Sequence, residues 1–286
     1  KEYDGNTSAT ASGTAALSGV IGGDDVSISG SPTYTFASAN VATGITITTT
    51  GYTLSGTDAG NYSLTQPTLS ADITTKALTV TGLTGDDKEY DGNTTATASG
   101  TAALSGVVGG DDVSIGGSPT YTFASANIGT AISITTTGFT ISGTDAGNYS
   151  LTQPTLSADI TTKALTVTGL TGDDKEYDGN TSATASGTAA LSGIVGGDDV
   201  SIGGSPTYTF ASANVGTGIA ITTTGYTLSG TDAGKYTLTQ PTLSADLTAV
   251  NLTVTGLTGN DKEYDGNTSA TASGTAALSG VIGGDD

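Results

Sequence analysis

The chain has 286 residues, with seven lysines, no arginine or histidine, and 27 acidic residues, for a net charge of −20. Duplexes and anionic membrane surfaces attract cations, so nucleic acid is a poor partner, and no apolar run is long enough for a membrane-spanning helix. Cysteine, methionine and tryptophan are also absent, which excludes a disulfide framework and a thiolate metal site and leaves the redox compartment unread.

Lys1-Glu2-Tyr3-Asp4-Gly5-Asn6-Thr7 opens the chain and returns at Lys88, Lys175 and Lys262, a period of 87 without insertion or deletion. Three full copies are followed by a 25-residue start of a fourth. The unit is long enough to be a small domain strung in tandem, and a feature copied at a fixed period argues for an array over a catalytic pocket.

Within one copy the elements read as short strands. The Ala-rich stretch Ala9–Leu17 carries Thr, Ser and Gly and reads as a strand, not a helix. Val26 and Ile28 flank Ser27, Tyr34 and Phe36 flank Thr35, and Ile45 and Ile47 flank Thr46. Between Ile47 and Tyr52 the apolar parity flips, which predicts a break or bulge near Thr50-Gly51. Tyr62 and Leu64 alternate with Ser63. Leu69, Ala71 and Ile73 mark a strand over Pro67–Thr74, and Leu78 and Val80 mark the next, beginning at Lys76. Period-two alternation with Ser and Thr between predicts sheets buried on one face only, and Gly- and Asn-rich turns separate the runs. No segment has a helical apolar period. The core is expected at Tyr34, Phe36, Ile45, Ile47, Tyr62 and Leu64, with Tyr149 and Tyr236 repeating Tyr62.

Exchanges between copies agree. Tyr52 becomes Phe139 and Leu54 becomes Ile141, both volume-conserving, whereas Asn61 becomes Lys235 and Lys76 becomes Val250, as expected of solvated positions. The scarcely interrupted run from Pro67 into Val80 places the joints near residues 75, 162 and 249. The domains are then 1–75 (lacking its first strand), 76–162, 163–249 and an opening fragment, 250–286. The expected architecture is all-β, tandem immunoglobulin-like β-sandwiches of seven or eight strands forming an elongated, stiff rod. Starting at lysine and stopping inside a repeat, the chain is read as an excerpt of a longer protein.

Asp58-Ala-Gly-Asn-Tyr62-Ser-Leu64 resembles the Asp-x-Gly/Ala-x-Tyr-x-Cys stretch of immunoglobulin-like domains, with Leu64 in the cysteine position. That resemblance implies a tyrosine corner at Tyr62, whose hydroxyl bonds back to upstream backbone. The opening Lys-Glu-Tyr-Asp-Gly-Asn-Thr block, Leu17-Ser-Gly-Val-Ile-Gly-Gly-Asp24-Asp25-Val26, the Tyr62 segment through Pro67, and Ala71-Asp-Ile-Thr together resemble the YDG-type repeat of large bacterial surface adhesins and filamentous-haemagglutinin-like proteins. The match covers the whole repeat. It implies an extracellular β-rich stalk or adhesion module, on a bacterial surface or secreted, with no catalytic residues to carry over.

Acidic residues at Asp24-Asp25 and at Asp86, Asp87 and Asp91 are calcium candidates by oxygen content, but their spacing is not that of a twelve-residue calcium loop. Turn residues capping their own backbone are the alternative, and no cofactor is expected. A Lys1–Asn40 isopeptide link is a further possibility, opposed by the turn-rich surroundings of the lysine. The Asn-x-Ser/Thr triplets at Asn6, Asn61 and Asn93 carry no role in so Ser- and Thr-rich a chain. Without His, Cys, Arg or a phosphate loop, an enzyme is not expected.

The leading expectation is a non-catalytic spacer that holds an adhesive region away from a bacterial surface, its partners being neighbouring repeats of the same chain. The alternative is the body of an extracellular filament or biofilm-matrix fibre. There a strand such as Leu252–Thr255 would complete the open domain of another copy. A glycan-binding module ranks below both, since no aromatic residue is clearly exposed for sugar stacking.

Overall fold

The structure is a computed structural model and describes residues 1–284. The chain divides into two compact units, residues 1–88 with 93–160, and residues 89–92 with 161 onward. Among the described residues it is all-β, its helical turns being single 3-10 turns at Ala59–Asn61, Ala146–Asn148 and Ala233–Lys235.

The second unit contains a copy with every strand in place: β1 (Lys163–Gly172), β2 (Lys175–Glu176), β3 (Ser182–Ala183), β4 (Ala185–Ser192), β5 (Ser201–Phe210), β6 (Gly216–Ser229), β7 (Tyr236–Thr239) and β8 (Thr242–Thr248). They form two sheets, in the orders β4-β1-β7 and β2-β8-β6-β5-β3. β1 is central to the smaller sheet, antiparallel to β4 (Val167 opposite Leu191) and parallel to β7 (Leu165 opposite Leu238). Its alternation works as the sequence demands. Leu165 and Val167 are buried while Ala164, Thr166 and Thr168 face water. In the larger sheet Phe210, Ile221, Ala245 and Leu247 form a buried cluster lined by Tyr208, Ile219 and Leu243. Burial of Phe210, Ile221 and Leu247 stabilises the fold by roughly 1.5–3 kcal/mol each.

The first unit repeats this arrangement. Lys76–Gly85 lies between Tyr149–Thr152 and Ala98–Ser105. Residues 1–75 contribute Ser8–Ala9, Ser27–Phe36, Ala42–Ser55 and Thr68–Ile73 as one sheet in that order. Here the parity flip is a bulge: Gly30 pairs with Tyr52 and Thr33 with Thr50, leaving Ser31 and Pro32 opposite Gly51. The bulge fits only glycine, because Gly51 has φ +93° and an added Cβ would sit 2.5 Å from the Ser31 carbonyl oxygen.

The strand expected over Ala9–Leu17 forms at Ala98–Ser105 and β4, but in the first copy only Ser8–Ala9 is a strand. The reason is pairing. Ala98–Ser105 is held by Lys76–Gly85, and residues 1–75 have no counterpart of that strand. Tyr62–Thr65, the counterpart of Tyr149–Thr152, is likewise outside any strand. Phe36, Ile45 and Ile47 are buried; Tyr34 and Leu64 are half-buried, as are their counterparts Tyr121, Tyr208, Leu151 and Leu238, and only Tyr62 is less buried than its counterparts Tyr149 and Tyr236.

Beyond β8, β9 (Thr253–Gly259) and β10 (Ala272–Ser279) form an antiparallel hairpin. Its apolar residues, Leu252, Val254, Leu257 and Leu278, are exposed.

Candidate functional site at the repeat joint

The Lys-Glu-Tyr-Asp-Gly-Asn block folds into a hook around its own lysine. Lys1 Nζ donates to Asp4 Oδ1 at 2.6 Å, to the Asn6 carbonyl at 2.8 Å and to Asn6 Oδ1 at 3.0 Å. It also lies 5.8 Å from the centre of the Phe36 ring. Lys175 does the same with Asp178, Asn180 and Phe210. Gly5 takes φ +77° at the tip. The hook is anchored to the end of its own copy, with Tyr3 N–H donating to the Thr74 carbonyl and Thr74 N–H to the Lys1 carbonyl, both at 2.9 Å. The ammonium holds the Asp4 and Asp178 carboxyls below the usual range.

This folding projects the tyrosine out of its own copy and into the next. Tyr3 is 4% exposed and donates its hydroxyl to Asp111 Oδ2 at 2.8 Å. Tyr149 donates to the same oxygen at 2.6 Å and accepts the Val108 N–H at 2.9 Å. The two rings meet edge to face at 5.3 Å. Beside them, buried Asn148 accepts the Val41 N–H at 2.9 Å and donates to Asn40 Oδ1 at 3.4 Å. Burial, then the bond to Asp111, pushes the Tyr3 phenol up to about 12.

The second unit contains the same joint. Tyr90 and Tyr236 pack edge to face at 5.6 Å and donate to Asp198 at 3.3 and 2.6 Å, and Val195 N–H donates to Tyr236. Lys235 replaces Asn148 here. Its ammonium donates to the Tyr90 hydroxyl at 3.1 Å and pairs with Asp232 at 2.7 Å and Asp198 at 3.8 Å. The Asp232 bond, then that to Tyr90, raises the Lys235 pKa, and burial followed by Asp198 brings Tyr236 up to about 12. The Asn-to-Lys exchange, which looks like a solvated one in the sequence, therefore falls inside the joint.

The Tyr62 segment departs from the expected corner. Its hydroxyl does bond upstream backbone, accepting the Ile21 N–H at 3.0 Å, but across 41 residues, and it donates to Asp24 at 2.6 Å. It fastens the Gly22-Gly23-Asp24 turn to the 3-10 turn rather than closing a local corner.

The calcium candidates are engaged separately. Asp24 accepts Tyr62, Asp25 Oδ2 accepts the Thr57 N–H and hydroxyl, Asp86 accepts Thr97, and Asp87 accepts the Asp159 N–H. Asp91 sits in the hook between Tyr90 and Gly92. Among the described residues no three His, Cys, Asp or Glu side chains converge to hold a metal ion. These partners lie 11 to 72 residues away, so the carboxylates clasp separate segments of the chain, where the sequence suggested turn residues capping their own backbone. Lys1 turns to Asp4 and Asn6 while Asn40 turns to Asn148, so the geometry does not assemble the isopeptide pair.

Tyr3 and Tyr90 were not among the expected site residues. Their signal was an aromatic side chain set in a turn-rich block with no apolar alternation around it to receive the ring.

A family model for the YDG domain matches residues 1–69, 74–156 and 161–243. The chain belongs to the YDG domain family. No curated protein and no solved structure matches it significantly. The tyrosine, aspartate and glycine of the YDG block are thus the hook itself. Tyrosine supplies the ring and phenol, aspartate ties down the lysine, and glycine makes the turn. Burial and the bond to Asp111 raise both the Tyr3 and the Tyr149 phenol, so near pH 7 both are neutral donors that one carboxylate holds together.

Proposed function

We propose that these YDG domains are non-catalytic spacer repeats of a secreted or surface-anchored bacterial adhesin, each an immunoglobulin-like sandwich. The observation that carries this reading is the recurrence of one joint, Tyr3–Asp111–Tyr149 and then Tyr90–Asp198–Tyr236, built from side chains of successive copies. A ring pair plus a shared carboxylate restrains the angle between neighbours in a way that a flexible linker does not. The short, direct passage from Thr68–Ile73 into Lys76–Gly85 adds to the restraint. The two sheets of the complete copy, its eight strands and the Asp-x-x-x-Tyr segment support the sandwich reading, and the dilute negative charge supports a soluble, self-repelling array.

Small-angle scattering tests this on the 286-residue chain and on a Tyr3→Ala/Tyr90→Ala variant. The expected result is a maximum dimension near that of serial, fixed-angle domains in the parent and a broadened distance distribution in the variant. Identical, compact profiles for both would sink the spacer reading.

A further inference from the structure

The two joints are built alike except at one position. Tyr3 and Tyr90 each enter the following copy, meet Tyr149 and Tyr236 edge to face, and donate to Asp111 and Asp198. Beside that carboxylate the first joint carries Asn148 and the second Lys235. Both residues close the same 3-10 turn, Ala146–Asn148 and Ala233–Lys235, so the backbone delivers them to the same place.

From there the side chains part. Asn148 turns to the Val41 N–H and to Asn40, neutral partners in the preceding copy. Among the described residues no ion pair includes Asp111 or Asp145. Lys235 turns to the charges instead. Asp232, the counterpart of Asp145, holds its ammonium at 2.7 Å. The ammonium donates to the Tyr90 hydroxyl at 3.1 Å, and it lies 5.0 Å from the centre of the Tyr90 ring and 3.8 Å from Asp198. That hydroxyl donates in turn to Asp198 at 3.3 Å. An ammonium, a phenol and a carboxylate thus stand in one chain of bonds that polarise one another, and the cation beside the ring adds a second attraction on the same residue. The Lys235, Asp198 and Asp232 side chains are 23%, 13% and 24% exposed. Their charges are therefore screened less than those of a surface pair, yet remain within reach of salt.

We propose that the residue at this one position sets the strength of each joint: asparagine leaves it neutral and indifferent to salt, whereas lysine clasps the preceding copy's tyrosine more tightly and releases it in salt. Joints within one chain are then unequal, and a loaded array opens first where asparagine stands. The inference rests on the joint alone and holds whether the array is a spacer or the body of a fibre.

Hydrogen exchange read by mass spectrometry on the 286-residue protein tests it. Two amides report the second joint from its two sides: the Tyr90 N–H, bonded to the Thr161 carbonyl, and the Val195 N–H, bonded to the Tyr236 hydroxyl. Lys235→Asn should speed exchange of both by roughly threefold to tenfold at low salt, the difference between a charge-assisted and a neutral bond. Raising salt from roughly 0.01 M to roughly 1 M should bring the parent to the rate of that variant and leave the variant unchanged. Lys235→Met keeps the stem without the charge and should behave as Lys235→Asn. In the first joint, Asn148→Lys should slow exchange of the Val108 N–H and make it depend on salt. Each exchange between asparagine and lysine installs the residue that another copy already carries, so the fold accepts both. Unchanged exchange in Lys235→Asn overturns the proposal, as does a parent whose protection ignores salt. A Lys235→Met chain as protected as the parent would mean that the stem packs the joint shut, and overturns the ionic clasp.

Discussion

Tyr3 and Tyr149 come from successive copies, meet edge to face at 5.3 Å, and donate to one and the same oxygen of Asp111. The carboxylate is therefore the keystone of the joint, and its loss and the loss of one phenol have different expected consequences.

Tyr3→Phe removes one hydrogen bond while keeping the ring pair, and should lower stability by about 1 kcal/mol. Asp111→Ala strips the acceptor from two hydroxyls, of which Tyr149 keeps its bond to Val108 N–H. The expected loss is about 2–3 kcal/mol. Denaturant unfolding of the two variants checks the ordering, and equal losses would mean that Tyr149 does not depend on Asp111.

The joint should fail in alkali. Tyr3 and Tyr236 have pKa values of about 12 in the folded chain, raised first by burial, against about 10 for a phenol in an unfolded one. The folded state holds its protons more tightly, so this contribution is complete below pH ~10 and is lost as pH rises toward the folded value. Melting temperatures measured from pH 8 to 12, with phenolate absorbance followed in parallel, should fall in that window.

Acid should loosen the hook instead. The lysine at each hook lowers the Asp4 and Asp178 carboxyl pKa values. This contribution is present above the ordinary carboxylate pKa of ~3.9 and disappears as pH falls through the lowered value. Lys175→Met should remove this acid dependence for the third copy. Carboxyl titration by NMR in parent and variant would detect the difference, and an Asp178 that titrates alike in both would contradict it.

A stabilising substitution is also expected. The Thr136 hydroxyl is buried with no hydrogen-bond partner, as are those of Thr49 and Thr223 at the same place in the other copies. Thr136→Val replaces an unpartnered polar atom with a methyl group of similar size. It should raise stability by about 1 kcal/mol, read as an increased melting temperature.

The strands were legible because each one's cause is local. Alternation at Tyr34-Thr-Phe36 and Ile45-Thr-Ile47, and the parity flip resolved at Gly51, need only neighbours in sequence. The joint was not legible, because Tyr3 and Asp111 are separated by 108 residues and no spacing rule links them. Asp24 and Asp25 looked like calcium ligands by their oxygen content, whereas Asp24, like Asp111 in the next copy, accepts a phenol. Asn61 looked solvated because it becomes Lys235 in the third copy. The same position is buried at Asn148. In both cases the missing information was the neighbouring copy.

The joint is heterologous. One end of a copy gives the phenol of the YDG block, and the other end receives it at the Gly-Gly-Asp turn. The two faces are different surfaces, so successive copies join head to tail. Any in-frame duplication of 87 residues inserts a copy that brings its own donor and its own receiver. Array length can thus change by recombination while every internal junction keeps its donor and its receiver, which separates the number of copies from the fold of each.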